Sequence, residues 1–305
     1  MTSAVDLFAG LGGFTLGASM AGCRVLWAAN HDPLCVAYHA INHPGTRHAC
    51  QDLQQADWSA VPRHDLLLAS PACQGHSRAR GRERARHDAQ RATAWAVVAA
   101  LEVRRAAAAI VENVPEFASW ALFPAWRFAL ERLGYSVAHF VRDAADHGVP
   151  QHRKRLFVVA TRSRNPISLK LPSRAHRAAS GIVDFAAGSW SPIRRKGRSS
   201  ATLERVANGR KRFGRRFLMP YYGSGSGLTG RSLELPIGTI TTRDRWALVD
   251  GKRMRMLTVG ENRAAMAFPE STELPAQHHA AIAMLGNAVP PPMARDVIRA
   301  VLRAA

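Results

Sequence analysis

Cysteine is scarce in this chain. Four occur in 305 residues, Cys23, Cys35, Cys50 and Cys73, and no two form a CxxC pair. A disulfide scaffold and a zinc ribbon are therefore excluded as natural readings. His39, His43, His48 and Cys50 lie close in sequence, but their irregular spacing fits no common metal site, so no metal is expected. Long apolar runs are also missing. None approaches the ~20 residues that a bilayer span requires, so no membrane partner is expected. Residues 1–20 lack a basic start, an apolar core and a cleavage site, which points away from secretion and towards the cytoplasm. Neither GxGxxG nor GK[ST] occurs at the first glycine turn, so a dinucleotide fold or a P-loop is not the natural reading. Acidic residues are few: 22 Asp+Glu face 42 Lys+Arg, a formal charge of +20. An excess of that size implies a polyanionic partner, most simply nucleic acid. A genome biased towards arginine codons would raise arginine evenly, whereas here it is clustered.

What is present begins with composition: 47% hydrophobic residues are enough for a packed core, in one large domain or two smaller ones. Residues 4–9 read as a strand, Gly10-Leu11-Gly12-Gly13 as a turn, and Phe14 to Ala21 as a helix. A second strand over 24–29 ends at Asn30-His31-Asp32, and Pro33 opens a helix to Asn42. Asp52 ends a weak third strand, 65–69 are the fourth, and a helix covers roughly 91–105. A fifth strand begins at Ala109–Val111 and ends at Glu112-Asn113; Leu156–Thr161 is another. Strands alternating with helices argue for a mostly parallel sheet covered on both faces. After about Asn165 the texture changes. Residues 173–232 are rich in Arg, Ser and Gly with little periodicity, and Gly223–Gly227 reads as a flexible segment. Order returns at Pro236–Leu248. A last helix follows Pro290-Pro291-Pro292, with Ala294, Val297, Ile298, Val301 and Leu302 on one face.

The chemistry-bearing stretch is Ser70-Pro71-Ala72-Cys73-Gln74-Gly75. It follows the buried run Leu66–Ala69, and loops at the C-terminal ends of parallel strands are where open α/β sheets place their sites. A lone cysteine is more often a small buried hydrophobe. Its neighbourhood raises the odds, because Arg78, Arg80, Arg82, Arg84, Arg86 and Arg91 follow at once, with Gly75 and Gly81 as hinges. Residues 76–91 thus read as a loop that closes over an anion; a solvated charged loop is the plainer alternative. The turn Asp6–Phe14 lets a ligand approach the backbone. Asp32 and Asp52 stand at later strand ends, where they serve as helix caps or as ligands of ribose or base.

Five motifs in order resemble the DNA cytosine-5 methyltransferase family: residues 6–14, Pro71-Ala72-Cys73-Gln74, Glu112-Asn113-Val114, Gln151-His152-Arg153-Lys154-Arg155, and Gly286-Asn287-Ala288-Val289-Pro290-Pro291. They span nearly the whole chain; the resemblance is weakest over 166–232, where the family places its variable target recognition region. It implies an α/β, Rossmann-like class I methyltransferase domain over 1–165 and 282–305. A small, irregular target recognition domain over 166–281 would complete it. It implies methyl transfer from S-adenosylmethionine, leaving S-adenosylhomocysteine, to C5 of cytosine in a short double-stranded DNA target. Cys73, Glu112, Arg153 and Arg155 would be catalytic. Phe8, Ala9, Gly10, Leu11, Gly13, Asn30, His31, Asp52, Leu53, Asn287, Ala288 and Val289 would bind cofactor. Gln74, Ser77, Arg78, Arg80 and Gln151 would touch DNA. Arg194, Arg195, Arg198, Arg210, Arg212, Arg215 and Arg216 are the cations available to read the major groove. Thr239-Ile240-Thr241-Thr242 resembles the motif that supports this region. The C-terminal helix would return to pack near residues 6–21, closing a cleft for DNA. A monomer in the bacterial cytoplasm or a phage-infected cell, paired with a cognate restriction endonuclease, completes the expectation.

Three positions depart from the family pattern. Ala72 replaces a proline that would stiffen the nucleophile loop. His76 stands where a phenylalanine is common, and Asn30 where glutamate would grip the ribose. Asparagine both donates and accepts but brings no charge. Two other readings compete: a tRNA cytosine-5 methyltransferase on the same scaffold, and a DNA-binding regulator without activity. The basic insert argues against the first, and intact Cys73, Glu112 and Arg155 against the second.

Overall fold

A computed structural model of the chain describes residues 1–72, 90–163, 167–221 and 229–304. They divide into two compact units. One comprises Met1–Asp143, Lys154–Ser173 and Ala288–Ala305, the other Ala144–Arg153 and Arg174–Asn287. The sequence reading set the boundaries at 165/166 and 281/282 and did not separate Ala144–Arg153 from the first unit.

The larger unit is built on a seven-stranded sheet. Its strands are β1 (Ser3–Leu7), β2 (Arg24–Asn30), β3 (Arg47–Cys50), β4 (Leu66–Ala69), β5 (Ala108–Asn113), β6 (Ser136–Asp143) and β7 (Lys154–Thr161). They lie in the order β3-β2-β1-β4-β5-β7-β6. The first five are mutually parallel, while β7 runs antiparallel to both β5 and β6. All four residues of β4 and all six of β5 are buried, as expected of strands covered on both faces. The helices of this unit include α1 (Gly13–Met20), α2 (Pro33–Asn42), α3 (Trp95–Arg104), α4 (Phe123–Arg132) and, near the chain end, α8 (Pro291–Ala304). Asp32 caps α2 by accepting from Leu34 N, with Pro33 in the first turn. One core joins Val5, Leu7, Leu67, Val111 and Val158 of the sheet to Val97, Phe117, Trp126 and Leu130.

Helix α8 packs on α1, as the motif order implied. The contact is close because Gly17 has no side chain: a Cβ there would lie 2.5 Å from Ala294 Cβ and 2.9 Å from Arg295 N. The face of α8 made by Ala294, Val297, Ile298 and Val301 is fully buried.

The smaller unit carries a four-stranded sheet in the order β8-β11-β10-β9, all pairs antiparallel. The strands are β8 (Ser191–Pro192), β9 (Arg216–Pro220), β10 (Trp246–Asp250) and β11 (Arg253–Met256). Its helices are α5 (Ser200–Phe213), α6 (Val259–Ala265) and α7 (His278–Asn287). The expectation of little regular structure over 173–232 is corrected here, since α5 and β9 both fall within it. Helix α5 has Ser199 as its cap, accepting from Thr202 N. It packs on β9 through a core of Ile193, Val206, Phe217 and Val249. Residues 223–227, read as flexible, lie outside the described residues.

Candidate active site

The glycine turn follows from backbone geometry. Gly10 and Gly12 hold φ of +54° and +90°, and Phe8 between strand and turn holds +59°. A non-glycine residue in that region stores ~1–3 kcal/mol of strain, which accumulates at functional sites. The turn closes through Gly12 N donating to Ala9 O at 2.9 Å and Ala9 N donating to Ala29 O at 3.0 Å. Among the described residues a Cβ on Gly10 would meet only Phe8 O, at 3.9 Å, which leaves room for a ligand to approach the backbone there. A Cβ on Gly12 would stand 2.3 Å from His43 Nε2, so α2 fills the space below. Helix α1 begins at this turn with no side chain capping its first N–H groups. Open backbone at a helix start suits the polar groups of S-adenosylmethionine, so the residues present fit that cofactor.

Of the other expected cofactor residues, Leu11 and Gly13 follow β1, Asn30 and His31 stand at the end of β2, and Asp52 and Leu53 follow β3. Leu11 and Gly13 are buried in the turn and the first residue of α1. Asn30 ends β2 and uses Oδ1 to accept from Asp32 N at 3.0 Å. His31 is exposed beside it. Asp52 caps a short 3-10 helix over Leu53–Gln55, accepting from Gln54 N at 2.9 Å, with Leu53 buried below. Ala288 and Val289 are buried in the larger unit, whereas Asn287 closes α7 in the smaller one. Ala9, Gly10, Asn30, Cys35, His39 and His48 line one small pocket against the turn.

The second cluster forms where β4, β5 and β7 meet. Parallel pairing sets Ala69 opposite Val111, so the chain leaving β4 passes the end of β5. There Asn113 Nδ2 donates to Pro71 O at 3.1 Å and Asn113 Oδ1 accepts from Val114 N at 2.8 Å. Ala72 N donates to Thr93 Oγ1 at 3.1 Å. The segment entering Cys73 is thereby pinned to the ENV motif. Antiparallel pairing sets Glu112 opposite Phe157, two residues after Arg155. Arg155 Nε lies 2.9 Å from Glu112 Oε1, with side chains 11% and 8% exposed. A carboxyl and a guanidinium fixed at that spacing can grip a flat heterocycle that offers both donor and acceptor edges.

Cys73, Gln74, Ser77, Arg78, Arg80 and the rest of the arginine-rich loop to residue 89 lie outside the described residues. Arg153 and Gln151 are placed, and both are structural in the smaller unit. Arg153 is 1% exposed and donates to Ile240 O at 2.9 Å and Gly286 O at 2.8 Å. Gln151, expected at the DNA, is fully buried instead. It donates to Ala265 O at 3.1 Å and accepts from Ile240 N at 2.8 Å. Alternation does not explain the split, because 151, 153 and 155 share one face of an extended segment; it falls where the chain changes unit, with Gln151 and Arg153 in the smaller unit and Arg155, already in β7, in the larger one.

The sequence profile of the C-5 cytosine-specific DNA methylase family matches residues 2–303. The chain belongs to that family. Similar curated proteins are the type II methyltransferase M.MspI of Moraxella sp, 25% identical over 96% of this chain and 68% of that protein, and M.HaeII of Haemophilus aegyptius, 25% identical over 96% and 90%. Among solved structures, the DNMT2 of Spodoptera frugiperda superposes with a TM-score of 0.71 at 15% identity, covering 99% of this chain and all of that one. EhMeth of Entamoeba histolytica gives 0.70 at 15% identity, covering 99% and 98%. The family is that of S-adenosylmethionine-dependent cytosine-5 DNA methyltransferases, and the sheet is that of a Rossmann-like methyltransferase.

In the smaller unit of this methylase three arginines gather around one buried carboxylate. Asp250, with a side chain 1% exposed, pairs with Arg215, Arg216 and Arg253 at 3.0–3.2 Å. Burial raises its carboxyl and those arginines more than offset it, leaving it below the usual range. Arg216 and Arg253 lie over the rings of Phe185 and Trp190. Arg198 is tied to Ser191 Oγ and Pro192 O, and Arg210 to Gly251 O. Arg195 lines a cavity of about 440 Å³ together with Trp190, Tyr221 and Met256. Sequence reasoning named the cations but missed the aromatic partners, because Phe185 and Trp190 carry no motif.

Proposed function

We propose that this methylase transfers a methyl group to C5 of a cytosine flipped out of a short double-stranded DNA target, through a covalent bond between Cys73 and C6. The observation that carries the reading is the junction of Pro71, Asn113, Glu112 and Arg155 at the ends of β4, β5 and β7. It supports the placing of a nucleophile segment, an acid and a cation around one base. Cytosine C5 is a weak nucleophile. Adding the Cys73 thiolate to C6 makes the ring an enamine whose C5 carries the electron pair. Glu112 holds N3 and shares a proton with it, so charge does not accumulate on the ring. Arg155 holds O2, and Arg153 fixes the segment that carries Arg155. When bound, S-adenosylmethionine supplies the electrophilic methyl group. Loss of the C5 proton, to a water or another base, then lets the C5–H electron pair restore the double bond and expel Cys73. Flipping costs a few kcal/mol of stacking and pairing, which Arg78, Arg80, Gln74 and Ser77 would offset through backbone contacts. The cavity beside Arg195 and Trp190 is the part of the smaller unit best suited to read a base. A bacterial cytoplasmic monomer acting beside a cognate restriction endonuclease fits this reading.

A duplex carrying 5-fluorocytosine tests it. Fluorine blocks elimination, so wild-type protein should form a stable adduct at Cys73, and Cys73→Ser none. Absence of an adduct with duplex DNA, or adducts and methylation only with tRNA, would overturn it.

A further inference from the structure

The larger unit holds a buried hydrogen-bonded chain that the chemistry above does not use. It runs from Asp6 on β1 through Thr15 on α1 and His39 on α2 to His48 on β3. Thr15 Oγ1 lies 2.8 Å from Asp6 Oδ2, His39 Nε2 3.1 Å from Thr15 Oγ1, and His39 Nδ1 2.8 Å from His48 Nε2. Asp6, Thr15 and His39 are buried and His48 half-buried. Each link joins a different element, and the elements surround the glycine turn. His39 and His43 also fill the space against Gly12. The second Asp6 oxygen, Oδ1, is buried with no hydrogen-bond partner among the described residues. A buried polar atom left so calls for a reason.

The links have a property that a merely structural bond lacks. A hydroxyl and a neutral imidazole each carry one proton, so the whole chain must point one way. With Asp6 ionised, His48 Nε2–H donates to His39 Nδ1, His39 Nε2–H to Thr15, and Thr15 to Asp6. With Asp6 protonated on Oδ2, the oxygen that faces Thr15, every link reverses and His39 carries its proton on Nδ1. Resting on the family reading for the identity of the cofactor, we propose that this chain is a positioning relay for the S-adenosylmethionine turn, in which the charge of Asp6 and the tautomer of His39 change together. Ionised Asp6, two residues before Phe8, favours a cationic cofactor over the turn, and its protonation weakens that attraction.

Burial pushes the Asp6 carboxyl up to about 7, with Thr15 holding it lower than burial alone would. Burial drives His39 down to about 2 and His43 to about 4, so both are neutral at working pH. His48 is shifted the same way. Cys35, on the same pocket, is pushed up to about 12 and stays a thiol. Helix α1 carries no ionisable side chain, and β2 and β4 place Ala28 and Leu68 beside Asp6. Asp6 thus changes charge near neutrality while its neighbours His39 and His43 stay neutral.

The test uses the cofactor-free and cofactor-bound whole protein. Imidazole ¹⁵N NMR should show His39 passing from the Nδ1–H to the Nε2–H tautomer as Asp6 ionises. Calorimetry should show S-adenosylmethionine affinity rising over the same pH interval. Thr15→Ser keeps the hydroxyl and should stay within about twofold of wild type. Thr15→Val keeps the shape but breaks the chain; it should weaken binding about tenfold and move the pH step upward, because Asp6 loses a bond that favours its charged form. A His39 tautomer that does not change with pH in wild type would overturn the relay. So would Thr15→Val binding cofactor with the wild-type affinity and pH profile. Failure of the 5-fluorocytosine adduct with the tautomer switch and cofactor binding intact would sink the DNA reading and leave the relay standing.

Discussion

At the level of single residues, the Arg155–Glu112 pair carries the most testable consequence. Its side chains are 11% and 8% exposed, so both charges are largely withdrawn from water. Replacing Arg155 with Met leaves a carboxylate in a largely desolvated place. That should cost ~3 kcal/mol of stability, whereas the double change with Glu112→Gln should recover most of it. Activity should behave otherwise. Either single change should lower kcat by at least about a hundredfold, and the double variant should not recover, because in the proposed mechanism both groups would contact the base. Urea unfolding and single-turnover methylation on the same four proteins form the cycle. Recovery of activity in the double variant would show that the pair serves folding alone.

Among elements, legibility followed how much of the buried face was apolar in type. Strands β4 and β5 were readable because Leu66–Ala69 and Ala108–Val111 are continuous apolar runs. The glycine turn, the ENV motif and α8 were equally legible, since each couples a motif to a strong local pattern. Helix α5 was not. Its buried positions are Thr202, Val206 and Gly209, and a stripe of threonine, valine and glycine gives no hydrophobic period. Gly209 reads in sequence as a breaker but serves as a socket for the Phe217 ring: a Cβ there would stand 2.3 Å from Cε2. The inward turn of Gln151 and Arg153 was hidden for a related reason, since a motif names residue types without saying which face they take. Two effects oppose each other in Gly209→Ala. Helix propensity favours alanine by ~1 kcal/mol, whereas overpacking costs ~1–3 kcal/mol. The ring belongs to the core of the smaller unit and cannot withdraw to solvent, so the variant should be destabilised on balance. A higher thermal midpoint for Gly209→Ala would mean that the ring gives way.

For the whole molecule, the buried ionisable groups set how stability responds to acid. Between about pH 6.5 and pH 4 the unfolded chain takes up protons on His39 and His43 that the fold refuses, their folded values being about 2 and about 4. His48 and His64 are lowered as well and act in the same sense. Asp6 opposes them. Its folded value is raised from 3.8 to about 7, so over that interval the fold holds a proton that the unfolded chain lacks. Unfolding is favoured whenever the unfolded state binds more protons, so stability should fall with falling pH, on the order of 1.4 kcal/mol per pH unit for each net proton. Asp6→Asn removes the opposing term. Its stability should therefore fall more steeply in acid than that of wild type, and the Asp6 contribution that grows below pH 7 should vanish. Urea midpoints measured from pH 8 to about pH 4.5 decide the matter. Parallel curves for the two proteins would mean that Asp6 does not titrate in the fold, since a group with one charge state throughout adds only a constant offset to ΔG.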